Sequence, residues 1–236
     1  VTAAAPPAVV LVHGLGGSAA TMAPLADALR RAGVTAATLT LAGHGLRPES
    51  LRTIGWDDWA ATVAETIERC AAQAGAVVVV GQSMGGTLAL GAVLSGAAVR
   101  AVACINTPVV PADPEALAML PPDAELVDVG PADLADPDAA EDGYRQLPAR
   151  ALREMARGTA AVHARLPEVT VPVLVVTSRH DAVVDPWNGD ELARLAAGPV
   201  TRVMLERSAH VATLDLDRDR LAAAVLQLVS DVTSSQ

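Results

Sequence analysis

The chain has 236 residues, 51% of them hydrophobic, with three Trp, one Tyr, no Phe and a formal charge of −10. That length fits one ordinary domain, able to bury roughly 70% of its extended-chain surface without a disulfide or metal staple. The acidic balance argues against a nucleic-acid binder, which needs a basic face, and against electrostatic docking on anionic lipid.

About a fifth of the residues are Ala and all 17 basic residues are Arg, so the core must be built from Ala, Val and Leu. Cys70 and Cys104 lie in apolar-periodic segments and read as small buried hydrophobes, which suits a reducing compartment. No apolar run approaches the ~18 residues of a membrane span. The N-terminal residues lack a charged leader pattern, so no signal peptide is expected. The expectation is a cytoplasmic, soluble enzyme or binding domain with no membrane insertion.

In chain order, residues 9–13 form an apolar run of strand length. A helix follows, with Ser18 as N-cap, Met22, Leu25, Ala26 and Leu29 on its apolar stripe, and Gly33 as its stop. Residues 34–41 read as the next strand. Trp56, Trp59, Val63, Ile67 and Cys70 fall at spacings of three and four, a helix closed by Gly75. Residues 77–80 form a buried strand that runs into Gly81-Gln82-Ser83-Met84-Gly85-Gly86. A helix is expected over 87–94 and a strand over 99–105. Later come a helix over 149–164, strands over 171–177 and 200–205, and helices over 190–197 and 217–229, before a tail at 233–236 expected to fray. Strands alternating with helices predict a mostly parallel sheet covered on both faces.

Residues 109–147 break the rhythm. Six Pro and ten acidic residues fall there, with no base before Arg145. The segment has no strand-like run. It reads as an insertion over the end of the sheet, with a short helix at 114–120.

The strongest chemical signal is Gly81-Gln82-Ser83-Met84-Gly85. A G-x-S-x-G between a strand and a helix is a nucleophile elbow, with the Ser hydroxyl held above the sheet. A hydroxyl needs a base within reach and a third group to orient that base. Of five His, His13 and His44 sit in glycine turns, His163 lies on a helix face and His180 adjoins Asp181. His210 follows the last strand and opens on the same sheet edge as Ser83, which makes it the base. Asp181 is the first carboxylate after the strand ending at 177; Asp185 is the alternative. The order Ser83, Asp181, His210 is that of an α/β-hydrolase. The His and Cys show no metal-ligand spacing, so neither metal nor cofactor is expected.

The chain resembles the α/β-hydrolases, in particular small bacterial carboxylesterases and monoacylglycerol lipases. The resemblance rests on His13-Gly14-Leu15-Gly16-Gly17, Leu41-Ala42-Gly43-His44-Gly45, Trp56-Asp57-Asp58-Trp59, the Gly81 to Gly86 run, His180-Asp181, and His210-Val211-Ala212-Thr213-Leu214-Asp215. It implies a compact fold lacking two leading antiparallel strands, with a core of residues 1–108 and 148–236 and a small acidic cap at 109–147. It favours Asp181 over Asp185. It also implies an oxyanion hole formed by the N–H groups of Leu15 and Met84.

The substrate pocket is expected between the sheet edge and the insertion, lined by Leu15, Met84, Val109, Met119, Leu120, Val184, Trp187 and Val211, aliphatic side chains with one indole. That aliphatic set favours a small neutral ester of short or medium acyl chain, such as a monoacylglycerol. A thioesterase on the same triad is an alternative, as is a non-catalytic binding domain on the same fold.

Overall fold

The computed structural model describes residues 7–234. Six parallel strands form the main sheet in the order β2-β1-β3-β4-β7-β8, with β1 at Ala8–Val12, β2 at Ala36–Thr38, β3 at Val77–Gln82, β4 at Val99–Ile105, β7 at Val173–Ser178 and β8 at Val200–Leu205. All six run the same way, so every strand ends at one edge. This is the α/β-hydrolase fold.

Alternation along the strands divides the core in two. Val10, Val12, Val77, Val79, Val102, Cys104, Val173 and Val175 face one way, with Trp59, Val63 and Ile67 of α2 (Trp56–Ala74) and Leu88 of α3 (Met84–Leu94). Val9, Leu11, Val78, Val80, Ala103 and Val176 face the other, against Met22 and Leu25 of α1 (Ala19–Arg31) and Val225 and Val229 of α7 (Arg218–Ser234). Each buried Val or Leu contributes about 1.5–3 kcal/mol relative to exposure, so many mid-sized side chains replace the absent Phe. Cys104 belongs to this core, and burial pushes its thiol up to about 12.

Several boundaries differ from those read in the sequence. The second strand stops at Thr38 because the Leu41 N–H donates to His13 Nε2 (3.1 Å) instead of a neighbouring strand. The helix after Ser83 begins at Met84, three residues early, since the paired glycines there mask its start. At the far end α7 continues through Thr233 and Ser234, which were expected to fray. Residues 235–236 lie outside the described residues, as do residues 1–6, on which the reading of no signal peptide partly rested. Among the described residues no helix is long and apolar enough to cross a membrane.

The insertion is more ordered than its composition implied. Its short helix α4 spans Pro114–Ala118. It also holds a hairpin absent from the expected pattern, β5 (Leu126–Asp128) against β6 (Gln146–Pro148), paired Val127 to Leu147. Three-residue strands are too short to leave a readable alternation. The hairpin leads straight into α5 (Ala149–His163), and α6 (Trp187–Leu195) completes the helices. Asn188 of α6 accepts the N–H groups of Val109 and Val110 at 2.8 Å each, which fixes where the insertion leaves the core.

Candidate active site

Between β3 and α3 the chain turns through Ser83 at φ 54°, ψ −128°, a strained conformation for a non-glycine residue that costs on the order of 1–3 kcal/mol. The turn is pinned by the Ser83 N–H to Ile105 O bond (2.8 Å) and the Gly86 N–H to Ser83 O bond (2.9 Å). Such a turn needs glycine on both sides. A Cβ on Gly81 would overlap the Gly85 carbonyl and the Gly86 nitrogen, and one on Gly85 would overlap the Val12 and His13 carbonyl oxygens. Because those atoms are backbone, Gly85→Ala is expected to destabilise the fold by at least about 2 kcal/mol in urea denaturation. A change below the measurement error would contradict this packing.

His210 Nδ1 lies 2.8 Å from Asp181 Oδ2. A carboxylate only accepts, so Nδ1 carries the proton and Nε2 is left as acceptor. Asp181 Oδ1 accepts the N–H groups of Val183 (2.9 Å) and Val184 (2.8 Å), which locks the carboxylate plane. Asp185 instead accepts the Trp187 N–H (2.9 Å) at the start of α6. The structure therefore brings Asp181, and not Asp185, to His210.

The loop after β1 passes directly over Ser83: a Cβ on Gly14 would lie 3.0 Å from the Ser83 Cβ. Among the described residues no acceptor takes the N–H of Leu15 or Met84. The Met84 side chain is buried in the core while its amide opens the N-terminus of α3, where the helix dipole favours negative charge. Two amide donors are thus free beside the serine.

Ser83 and His210 face one cavity of about 340 Å³. Its apolar wall includes Leu15, Leu134, Leu147, Leu152, Met155 and Val211. Val211 is placed as expected, but Met119, Leu120, Val184 and Trp187 do not line this cavity. Met119 is 86% and Trp187 53% exposed, and Val109 is buried in the core. The second half of the insertion, residues 129–147, forms much of the wall where α4 was expected to, while Val184 packs elsewhere and Trp187 opens α6 with its side chain exposed.

Polar residues near the serine escaped the sequence reading. Glu141 lines the cavity and accepts from Thr21 Oγ1 (2.9 Å); burial pushes its carboxyl above the usual range. Tyr144, the one Tyr, donates its N–H to Gly16 O (2.9 Å), and its hydroxyl accepts the Leu46 N–H (2.9 Å). At the end of β4, buried Asn106 at φ 47° donates to Ser178 Oγ (2.9 Å) and His210 O (2.8 Å) and accepts the Ser178 N–H (2.7 Å). Gln82 accepts the Thr213 hydroxyl at 2.8 Å. An isolated polar residue in an acidic insertion offers no pattern; only the singularity of Tyr144 could have drawn notice.

Among the described residues no group of three or more His, Cys, Asp and Glu is placed to hold a metal. A parallel sheet with a strained serine, an aspartate-oriented histidine and free amides at one edge defines an α/β hydrolase. The model of the Alpha/beta hydrolase family matches residues 9–224, and the chain belongs to that family.

Over 227 residues the chain is 33% identical to the thermostable monoacylglycerol lipase of Bacillus sp. (strain H-257), covering 94% of this chain and 90% of that protein. A solved chain described with LipS and LipT, two metagenome-derived lipolytic enzymes, matches at TM-score 0.87 and 29% identity, covering 98% of this chain and 99% of its own. A soluble variant of monoglyceride lipase from Saccharomyces cerevisiae, in complex with a substrate analog, matches at TM-score 0.80 and 16% identity, over 98% of this chain and 89% of its own. That last likeness is one of fold alone.

Proposed function

We propose that this chain is a serine hydrolase of the carboxylesterase and lipase type, cleaving carboxylic esters through an acyl-enzyme on Ser83. The observation that carries this reading is the 2.8 Å bond between His210 Nδ1 and Asp181 Oδ2, with His210 facing the same cavity as Ser83. Ser83 Oγ attacks the ester carbonyl carbon while His210 Nε2 takes its proton. Asp181 holds the tautomer and stabilises the imidazolium. The Leu15 and Met84 N–H groups donate to the oxyanion, each being worth on the order of 10²–10³ in rate. The alkoxy C–O bond then breaks and His210 returns the proton to the leaving alcohol. Water, deprotonated by the same imidazole, then attacks the acyl carbon; the Ser83 Oγ–C bond breaks, His210 returns the proton to Oγ, and the acid leaves.

The substrate is a small neutral ester of short or medium acyl chain, with a monoacylglycerol as the leading case. The aliphatic wall suits the acyl chain, the polar Glu141 side suits a hydroxylated alcohol, and the monoacylglycerol lipase relative supports the same choice. Residues 109–147 act as the cap that shapes this cavity. The acidic cap disfavours acyl-CoA, whose phosphates it repels, so p-nitrophenyl esters should turn over faster than acyl-CoA thioesters.

A fluorophosphonate probe tests the reading. The wild type is expected to form a covalent adduct, and Ser83→Ala none, as read by intact mass. An unlabelled wild type would overturn the serine mechanism. A series of p-nitrophenyl and glycerol esters then sets the chain-length preference.

A further inference from the structure

We propose that Asp133, carried by the insertion, is a positioning residue that sets the Asp181 and His210 loops against each other. This rests on the triad reading above and adds to it a group at the wall of the same cavity that holds the backbones of two loops and not the reacting atoms. The need for such a group follows from the sheet. Strands β7 and β8 stay in register only to Ser178 and Leu205, followed by one last bond from the Arg179 N–H to Leu205 O (2.9 Å). Beyond that point no ladder fixes how far apart the two loops stand. Yet the acid sits on one loop and the base on the other.

Asp133 spans that gap. Its Oδ2 accepts the N–H of Ala182 (2.9 Å), next to Asp181, and the N–H of His210 (3.1 Å), while its carbonyl accepts the Val211 N–H (3.1 Å). One carboxylate oxygen therefore ties the acid loop to the base loop. The lock is reciprocal. Buried Asp215, on the base loop, accepts the N–H groups of Ala135 (2.9 Å) and Asp136 (2.9 Å) from the insertion and of Ala209 (2.7 Å) and Leu216 (2.8 Å) from its own loop. Burial alone would raise the Asp215 carboxyl, but these four donors outweigh it and hold the group below the usual carboxylate range. Asp215 fastens the insertion so that Asp133 is held where it can bridge.

The test compares Asp133→Ala, which loses the bridge, with Asp133→Asn, whose carbonyl keeps two acceptor lone pairs. On p-nitrophenyl butyrate, Asp133→Ala is expected to lower kcat roughly 10- to 100-fold, as misplaced reacting groups do, with KM changed little. Asp133→Asn is expected to restore kcat to within about threefold of wild type, since it preserves both bonds. The far-downfield proton NMR signal of His210 Nδ1–H should persist in wild type and Asp133→Asn and be lost or broadened in Asp133→Ala. That signal is read without turnover. If Asp133→Ala does not fold, Asp133→Ser, too short to span both amides, replaces it. Wild-type kcat and an unchanged downfield signal in Asp133→Ala, or equal damage in Asp133→Asn, would overturn the proposal. A wild type that fluorophosphonate does not label overturns the serine reading instead, and the NMR comparison still decides the positioning claim.

Discussion

Asp181→Asn is expected to lower kcat about 10⁴-fold, the scale seen when a triad aspartate is replaced by its amide, with KM nearly unchanged. The reason lies in how Asp181 is held. Its Oδ1 accepts two backbone N–H groups, from Val183 and Val184, and its Oδ2 meets His210 Nδ1. An asparagine in this place must keep its carbonyl oxygen on the two amides, because an NH₂ there would face two donors. Its NH₂ then faces His210 Nδ1, which can answer only as an acceptor. The imidazole proton moves to Nε2, toward Ser83, and the base is lost while the packing stays intact. Asp185→Asn is the matched control, since that carboxylate accepts the Trp187 N–H instead; its kcat should stay within a few-fold of wild type. Steady-state rates on one p-nitrophenyl ester, with melting curves for both variants, decide between the two carboxylates. Loss of activity in Asp185→Asn alone would remove Asp181 from its assigned role.

What could be read in the chain was what local patterning controls. The strands at 99–105 and 200–205 agree with β4 and β8 residue for residue, because unbroken apolar or alternating runs end at clear turns. The serine turn was legible from its own spacing: Gly81 is dictated by the Gly85 and Gly86 backbone four and five residues on, although Gly85 is dictated by the Val12 and His13 backbone at the end of distant β1. His210 and Asp181 followed from topology, since parallel strands deliver their loops to one edge.

Contacts between distant residues left no such trace. Asp133 and His210 are 77 positions apart, Thr21 and Glu141 are 120, and Asn106 and His210 are 104. The acidic insertion shows the consequence most clearly. By composition it is a solvated negative surface. In the structure Asp133 accepts backbone amides, Glu141 is partly buried against Thr21, and Asp123 pairs with Arg153 at 2.7 Å. Part of its acidic set therefore carries structure: Asp133 and Glu141 line the cavity wall while Asp123 ties the insertion to α5.

Lowering the pH from 7 to 5 is expected to reduce the unfolding free energy by about 4 kcal/mol, a large share of the 5–15 kcal/mol typical of a domain. Two buried histidines cause it. His13 Nδ1 lies 2.7 Å from Gly14 O and its Nε2 accepts the Leu41 N–H, so the ring must be neutral; a proton on Nε2 would face another donor. Burial, aided by nearby His44, brings His13 down to about 3 despite the Gly14 carbonyl. His44 stacks on Tyr144 with ring centroids 6.3 Å apart and contacts His13 and Trp59 edge-on. Burial brings it to about 4, against the raising effect of the Ala42 and Leu41 carbonyls.

The sign follows from where each state takes up protons. Above the unfolded value of about 6.5 neither state is protonated, and the full stability is present. Between 6.5 and the folded values of about 3 and 4, only the unfolded chain binds protons, so stability falls with pH. The slope approaches about 1.4 kcal/mol per pH unit for each ring. Glu141 works the other way, since its raised folded value takes up a proton first in the native state, and it offsets part of the loss near pH 5. Asp215 and the salt-bridged glutamates, all lowered, lose their contributions as pH falls through the ordinary carboxylate values and below, so they touch only the lower end of this window. Urea unfolding at pH 7, 6 and 5 measures the slope, and a flat profile over that range would refute the assignment of both rings as neutral. The same bonds join the loop that carries Leu15 to the loop at 41–46. Ester turnover is therefore expected to be lost where the acid transition is reached, as the fold that presents Leu15 gives way.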